Sequence, residues 1–272
     1  MGAPSPLGAR HQKVTRLRRL LGQRSTRLRE GAFAIEGETL VAEALDAGLA
    51  LEAVFVAAGC VPLPAVAARA AERGYRVHTL AAGVLERISS TVHPQPVVAV
   101  APSCDVALER VAGSSPVVVC VDVRDPGNAG NIARGAEAAG AGAIVFCAGS
   151  VDPFNPKTVR SSAGSLFHVP VVSGGDPVEV LEHMGAWGYE RLGTVASGGE
   201  PYDEVSFAGP TAVVVGNEAH GLPPAIGDLL DRHVTIPMAG RTESLNVSMA
   251  SALICFEALR QRRHAAPLGP SR

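Results

Sequence analysis

Four short segments of this apolar chain set polar side chains beside glycines in unusual loops: 125–134 (DPGNAGNIAR), 196–200 (ASGGE), 216–222 (GNEAHGL) and 237–246 (PMAGRTESLN). Each follows or adjoins a run that reads as a strand, and in an open parallel sheet ligands bind beyond the carboxyl ends of strands. The groups on offer are amides, hydroxyls, carboxylates, guanidiniums and an imidazole. Asn131 and Arg134 are three apart on a predicted helix, so both face one side. No H-E-x-x-H and no Cys/His ligand cluster occurs, so no metal is expected, and the scattered histidines, His168 and His220 among them, read as structural. No G-x-G-x-x-G follows a strand; Gly140-Ala141-Gly142 precedes one instead, so a dinucleotide fingerprint is absent. Asn246-Val247-Ser248 formally matches a glycosylation acceptor, a reading that requires a secreted protein. Ser244, Asn246 and Ser248 crowd the start of an apolar helix, where free N–H groups need caps. Capping accounts for one of the three.

Strands and helices alternate from about residue 32. FAIEG, LEAVFVA, YRVHTL and QPVVAVA read as strands; ETLVAEALDAG, LPAVAARAAERG and AAGVLERISS as the helices between them. The second half restarts with VVVCVDV, an unbroken apolar run suited to a parallel strand covered on both faces. The pattern predicts an α/β protein with parallel sheets and helices on both faces. It divides into a basic arm (1–30), a small α/β domain (31–101), a polar linker (102–116), a larger domain (117–264) and a flexible tail (265–272).

Charge is unevenly placed. Residues 10–30 hold eight Arg or Lys side chains against Glu30 and carry +7, so the rest must carry −9 to reach the net −2. Such an arm suits a polyanion, because the planar arginine fork pairs with phosphate through two hydrogen bonds. Lys157 and Arg160 form a second basic spot near the site. The longest strongly apolar stretch, 138–151, is too short to span a bilayer, and the start lacks a signal pattern. The five cysteines form no C-x-x-C pair and read as reduced thiols of a cytosolic protein.

Taken together, the loops resemble those of the TrmH (SpoU) branch of the SPOUT RNA methyltransferases. The N-x-G-x-x-x-R motif of that family matches Asn128 to Arg134, its G-x-E-x-x-G motif matches VVVGNEAHGL, and its I-P-M followed by S-L-N-V-S matches IPMAGRTESLNVSMA. FAIEGETLVAEAL is similar to the substrate-binding domain that often precedes the catalytic one. The resemblance implies a C-terminal parallel-sheet domain with a deep trefoil knot, a rare exception to chain-threading rules, plus a smaller N-terminal α/β substrate-binding domain. It also implies a cytoplasmic homodimer that binds S-adenosyl-L-methionine in the knot and methylates a ribose 2′-hydroxyl of RNA. Carried onto this chain, the cofactor positions are Thr194, Val195, Ala196, Gly216, Asn217, Ile236, Met238 and Leu245, with Ile236 and Leu245 sandwiching the adenine. Arg134 is the principal catalytic position, supported by Asn128, Glu218, Ser244 and Asn246, with Glu218 holding Arg134 by a charge-assisted hydrogen bond.

The residues suit that chemistry. The cofactor has no phosphate, so converging backbone groups and close approach at Gly216 replace a phosphate cradle. Transfer from a sulfonium neutralises its charge, so the leaving group needs no acid and the weakly acidic hydroxyl is the difficulty. Arginine is effectively always protonated; a guanidinium that grips phosphate and stabilises the developing alkoxide is more defensible than a literal base. The aromatics available for stacking are few (Phe33, Tyr75, Phe154, Tyr202), so RNA shape and phosphate contacts dominate recognition. A two-domain build favours ribosomal over transfer RNA. A knotted base methyltransferase and a non-catalytic RNA-binding or ribosome-assembly factor are the alternatives.

Overall fold

The computed structural model describes residues 5–265, which form two compact units; the expected tail, beyond Ala265, lies outside them. The first unit runs through Cys104 and takes in Phe154–Phe167 from later in the chain. Helices α1 (Gln12–Gly22) and α2 (Arg24–Glu30) lead into β1 (Ala32–Glu36), α3 (Glu38–Asp46), β2 (Ala53–Val56), α4 (Ala65–Glu72), β3 (Arg76–Thr79), α5 (Val84–Ile88) and β4 (Val97–Pro102). The sheet order is β1-β4-β2-β3. Strand β4 alone runs against the others, pairing antiparallel with both β1 and β2, so this sheet is mixed rather than parallel. Strand–helix alternation does not register the reversal, because after α5 the chain turns through residues 89–96 before β4 begins.

The segment expected as a basic arm is folded. Val14, Leu17, Leu20 and Leu21 of α1 are buried against Ala32, Ala34, Val98 and Val100. Helical spacing places these four on one face and leaves Arg18 and Arg19 exposed on the other. Arg27 is buried, with Nη1 donating to the Leu20 carbonyl at 2.7 Å, and Arg16 is tied to Glu30 and Glu52. Phe33 and Phe154, counted among the few aromatics available for stacking, are withdrawn from it. Both rings are buried, 4.8 Å apart, in the first unit's core.

The second unit comprises β5 (Val117–Cys120), α6 (Pro126–Ala138), β6 (Ala143–Phe146), β7 (Val171–Ser173), α8 (Pro177–Ala186), β8 (Glu190–Thr194), β9 (Glu200–Pro201), β10 (Thr211–Val215), α9 (Pro224–Gly227), β11 (Arg232–Thr235) and α10 (Val247–Ala265). Helix α7 (Pro156–Ser161) belongs to the first unit and packs on β1. All seven strands are parallel, in the order β7-β6-β5-β10-β8-β11-β9. Strands β5, β6 and β10 are buried at every residue, as their continuous apolar runs require. From β5 the chain progresses outward through β6 to β7, then crosses to the far side of β10. The order of the strands therefore reverses direction between β5 and β10. Burial pushes the Cys147 and Cys255 thiols up to about 12, which leaves both protonated and inert at neutral pH.

Candidate active site

A cavity of about 790 Å³ opens at the carboxyl ends of β8, β10 and β11. All eight expected cofactor positions line it, from Thr194, Val195 and Ala196 through Gly216 and Asn217 to Ile236, Met238 and Leu245. Glu218, Ser244 and Asn246 line it too, as does His220, whose place on the wall the sequence did not disclose. Among the described residues no Lys or Arg contributes to the lining.

Gly216 follows β10, where the chain folds back on itself through paired 2.9 Å bonds between the backbones of Asn217 and Gly221. A Cβ at Gly216 would stand 2.4 Å from the Gly221 carbonyl carbon and 2.6 Å from the Leu222 nitrogen, so only glycine permits the fold-back. Asn217 holds this loop. Its Oδ1 accepts from the Ala219 and His220 N–H groups, and its Nδ2 donates to the Asp122 carbonyl at 3.0 Å. The Asn217 side chain is thus committed to the loop, and its backbone is what faces the cavity. Asp122, after β5, adopts φ 55°, a left-handed conformation uncommon outside glycine, and these bonds hold it there.

The three motifs meet through side chains. Asp125 caps α6 by accepting from the Asn128 N–H at 2.9 Å. Asn128 Nδ2 donates to Glu218 Oε1 at 3.0 Å, and Asn246 Nδ2 donates to Asn128 Oδ1 at 2.9 Å. Asn246 Oδ1 in turn caps α10, accepting from Ser248 N at 2.9 Å and Ser248 Oγ at 2.6 Å. Of the three polar residues crowding this helix start, then, Asn246 is the cap, Ser248 braces it, and Ser244 stays exposed on the cavity wall.

Glu218 does not hold Arg134, contrary to the sequence reading. Its carboxylate accepts instead from Asn128 and from the Arg124 and Asp125 N–H groups, at 3.5 and 3.2 Å. Desolvation is the largest single influence and raises its pKa. The Asn128 amide and the surrounding backbone N–H groups together outweigh it, leaving the pKa below the ordinary value. Arg134 lies exposed on α6 outside the cavity lining. Its neighbour Gly135 abuts α10, where a Cβ would meet the Ala252 Cβ at 3.0 Å. Helix α10 also exposes Met249, Leu253 and Phe256, spaced to lie on one face.

Residues 115–256 match the SpoU rRNA methylase family, and residues 11–99 match an MRM3-like substrate-binding domain. The chain is 34% identical to the 23S rRNA (guanosine(2553)-2'-O)-methyltransferase RlmP of Bacillus subtilis, over 91% of this chain and 96% of that one. It superposes on the SpoU methyltransferase AviRb of Streptomyces viridochromogenes, solved with AdoMet, with a TM-score of 0.82 at 31% identity, covering 93% of this chain and all of that one. An AdoMet-bound rRNA methyltransferase from Sinorhizobium meliloti gives a TM-score of 0.82 at 30% identity, covering 97% of this chain and 99% of that one. The chain belongs to the SpoU rRNA methylase family.

Proposed function

We propose that this chain is an S-adenosylmethionine-dependent RNA 2′-O-methyltransferase acting on ribosomal RNA. The observation that carries the reading is the cavity itself, where three loops converge on walls that, among the described residues, hold no Lys or Arg, and Gly216 allows close backbone approach. Its volume falls in the range of small-molecule sites. Its chemistry suits a ligand that joins a nucleoside to an amino acid without phosphate. Ile236 and Leu245, both half-buried on the wall, flank the adenine, and the backbones of residues 194–196 and 216–217 supply its polar contacts.

When bound, S-adenosylmethionine supplies an electrophilic methyl on a sulfonium whose charge is lost on transfer. The chain's own residues do the rest. Asn128, Glu218 and Asn246 lock the loops after β5 and β10 to the start of α10, fixing the walls before any substrate arrives. Positioning of this kind supplies about 7–11 kcal/mol in well-oriented reactions. Arg134 grips an RNA phosphate and stabilises the alkoxide forming on the ribose. The apolar face of α10 at Met249, Leu253 and Phe256 supports a homodimer, in which a second copy covers it. After β11 the chain runs along the cavity through residues 236–246 and packs α10 on α6, a return that supports the deep trefoil knot. Among the described residues no helix is long and apolar enough to cross a membrane, and the reading places the protein with ribosomes in the cytoplasm. In the first unit, α1 and α2 present Arg18, Arg19 and Arg29 to RNA phosphates.

Incubation with methyl-labelled S-adenosylmethionine and total RNA tests this. The expected product is label in ribosomal RNA at an alkali-resistant linkage. Label on a base, or none on RNA, overturns the reading.

A further inference from the structure

The first unit contains a second cavity, of about 260 Å³, that methyl transfer leaves unused. It lies between the β1–α3 turn, residues 91–95 and Arg160 of α7. Glu36 is its fixed end. That carboxylate is 7% exposed and accepts from Ser89 Oγ at 2.5 Å, Ser90 N at 3.1 Å, Ser90 Oγ, and Arg160 Nη1 at 2.8 Å. Arg160 Nη1 also donates to Ser90 Oγ at 2.6 Å. Both anchors use one nitrogen of the guanidinium, so its Nε–Nη2 edge makes no hydrogen bond among the described residues. On the opposite wall Gln95 Oε1 accepts from Glu38 N at 2.8 Å. Gly37, at φ 104°, allows this, since a Cβ there would stand 2.7 Å from the same oxygen. Val92, 89% exposed, sits between Thr91 and His93 of the rim.

The cavity thus has on its wall an arginine whose Nε–Nη2 edge is unengaged among the described residues, with an apolar side chain beside its rim, in a space that admits one base and excludes a duplex. Glu36 neutralises Arg160, which favours a neutral base over a phosphate. Guanine presents two acceptors, O6 and N7, on one edge; adenine sets a donor beside its N7, and pyrimidines offer no such pair. Single-stranded RNA is read through bases splayed out in this way. We propose that this cavity binds one unpaired guanine of the RNA through the Nε–Nη2 edge of Arg160, an assignment that rests on the RNA methyltransferase reading.

Fluorescence anisotropy tests it, using the full chain and labelled seven-nucleotide uridine strands whose central base is G, A, C or U. The G strand should bind roughly ten-fold tighter, the size of one bidentate base contact. Thr39→Trp fills the cavity from its exposed rim and removes none of the bonds above. It should abolish the preference and raise KM for ribosomal RNA, with kcat and S-adenosylmethionine affinity unchanged. Arg160→Lys keeps the charge but loses the fork, and should also abolish the preference. Equal affinity for the four strands, or a preference that survives Thr39→Trp, overturns the assignment. A wild-type chain that methylates ribosomal RNA without guanine preference sinks the cavity alone; one that neither binds nor methylates it sinks the functional reading as well.

Discussion

Asn246 Nδ2 donates to Asn128 Oδ1 across 2.9 Å, joining residues 118 apart in the chain. The direction of the bond is set from outside the pair. A carboxylate only accepts, so Glu218 obliges Asn128 to present its Nδ2 there and leaves Oδ1 for Asn246. Asn246 must then offer Nδ2, which frees its own Oδ1 to cap α10. One carboxylate therefore orients two amides and a helix start along the wall of the cavity.

Asn128→Asp reverses that logic by facing Glu218 with a second carboxylate. A loss of about 0.5–1.5 kcal/mol of stability is expected, the net worth of one hydrogen bond, together with a fall in turnover. Urea denaturation and methylation assays measure both. An unchanged midpoint with intact turnover would mean that the bonded chain has no mechanical role.

Gly216→Ala places a methyl where the Gly221 carbonyl stands, and backbone cannot yield as a side chain can. Cofactor affinity should fall at least ten-fold, about 1.4 kcal/mol, with helix content by circular dichroism kept. Calorimetry with S-adenosylmethionine decides; wild-type affinity contradicts the assigned wall.

Arg134→Ala should leave fold and cofactor affinity intact, because Arg134 is exposed and lines no part of the cavity. Turnover on RNA should drop by about a hundred-fold or more, as when a charge-stabilising group is removed from an active site. Near-normal methylation by this variant refutes its catalytic role.

Glu218 gives the stability profile an acid limb. Its folded pKa lies below the ordinary glutamate value, so its ionised form stabilises the fold above that value. The contribution is lost as pH falls from about 4.3, the ordinary value, through the lower folded one. Glu218→Gln should flatten this limb of the unfolding free energy as pH falls below about 4.3. A variant that keeps the full slope would assign it to other carboxylates.

Arg18 and Arg19 share the exposed face of α1. If they pair with RNA phosphates, Arg18→Glu with Arg19→Glu should weaken RNA binding and make its logarithmic salt slope shallower by roughly 0.7–0.9 for each phosphate no longer neutralised. Binding measured from low to moderate salt gives the slope, and an unchanged slope removes α1 from the interface.

Local sequence marks the α/β class, the apolar strands of the second sheet and the three loops proposed to carry the chemistry. These rest on local matters: apolar runs, strand–helix alternation, and glycine where a Cβ has no room. The tertiary structure decided what each polar group does. Glu218 was legible as a candidate site residue, but its partner was not, because Asn128 and not Arg134 is the donor that reaches it. Phe33 and Phe154, far apart in sequence, vanish into one core, and the cationic residues 10–30 fold as helices because four apolar side chains share a face. The reversed β4 was equally invisible, since alternation counts elements and not their directions. Hydrogen-bond partners and burial are properties of chain segments brought together in space, and no spacing along one segment records them.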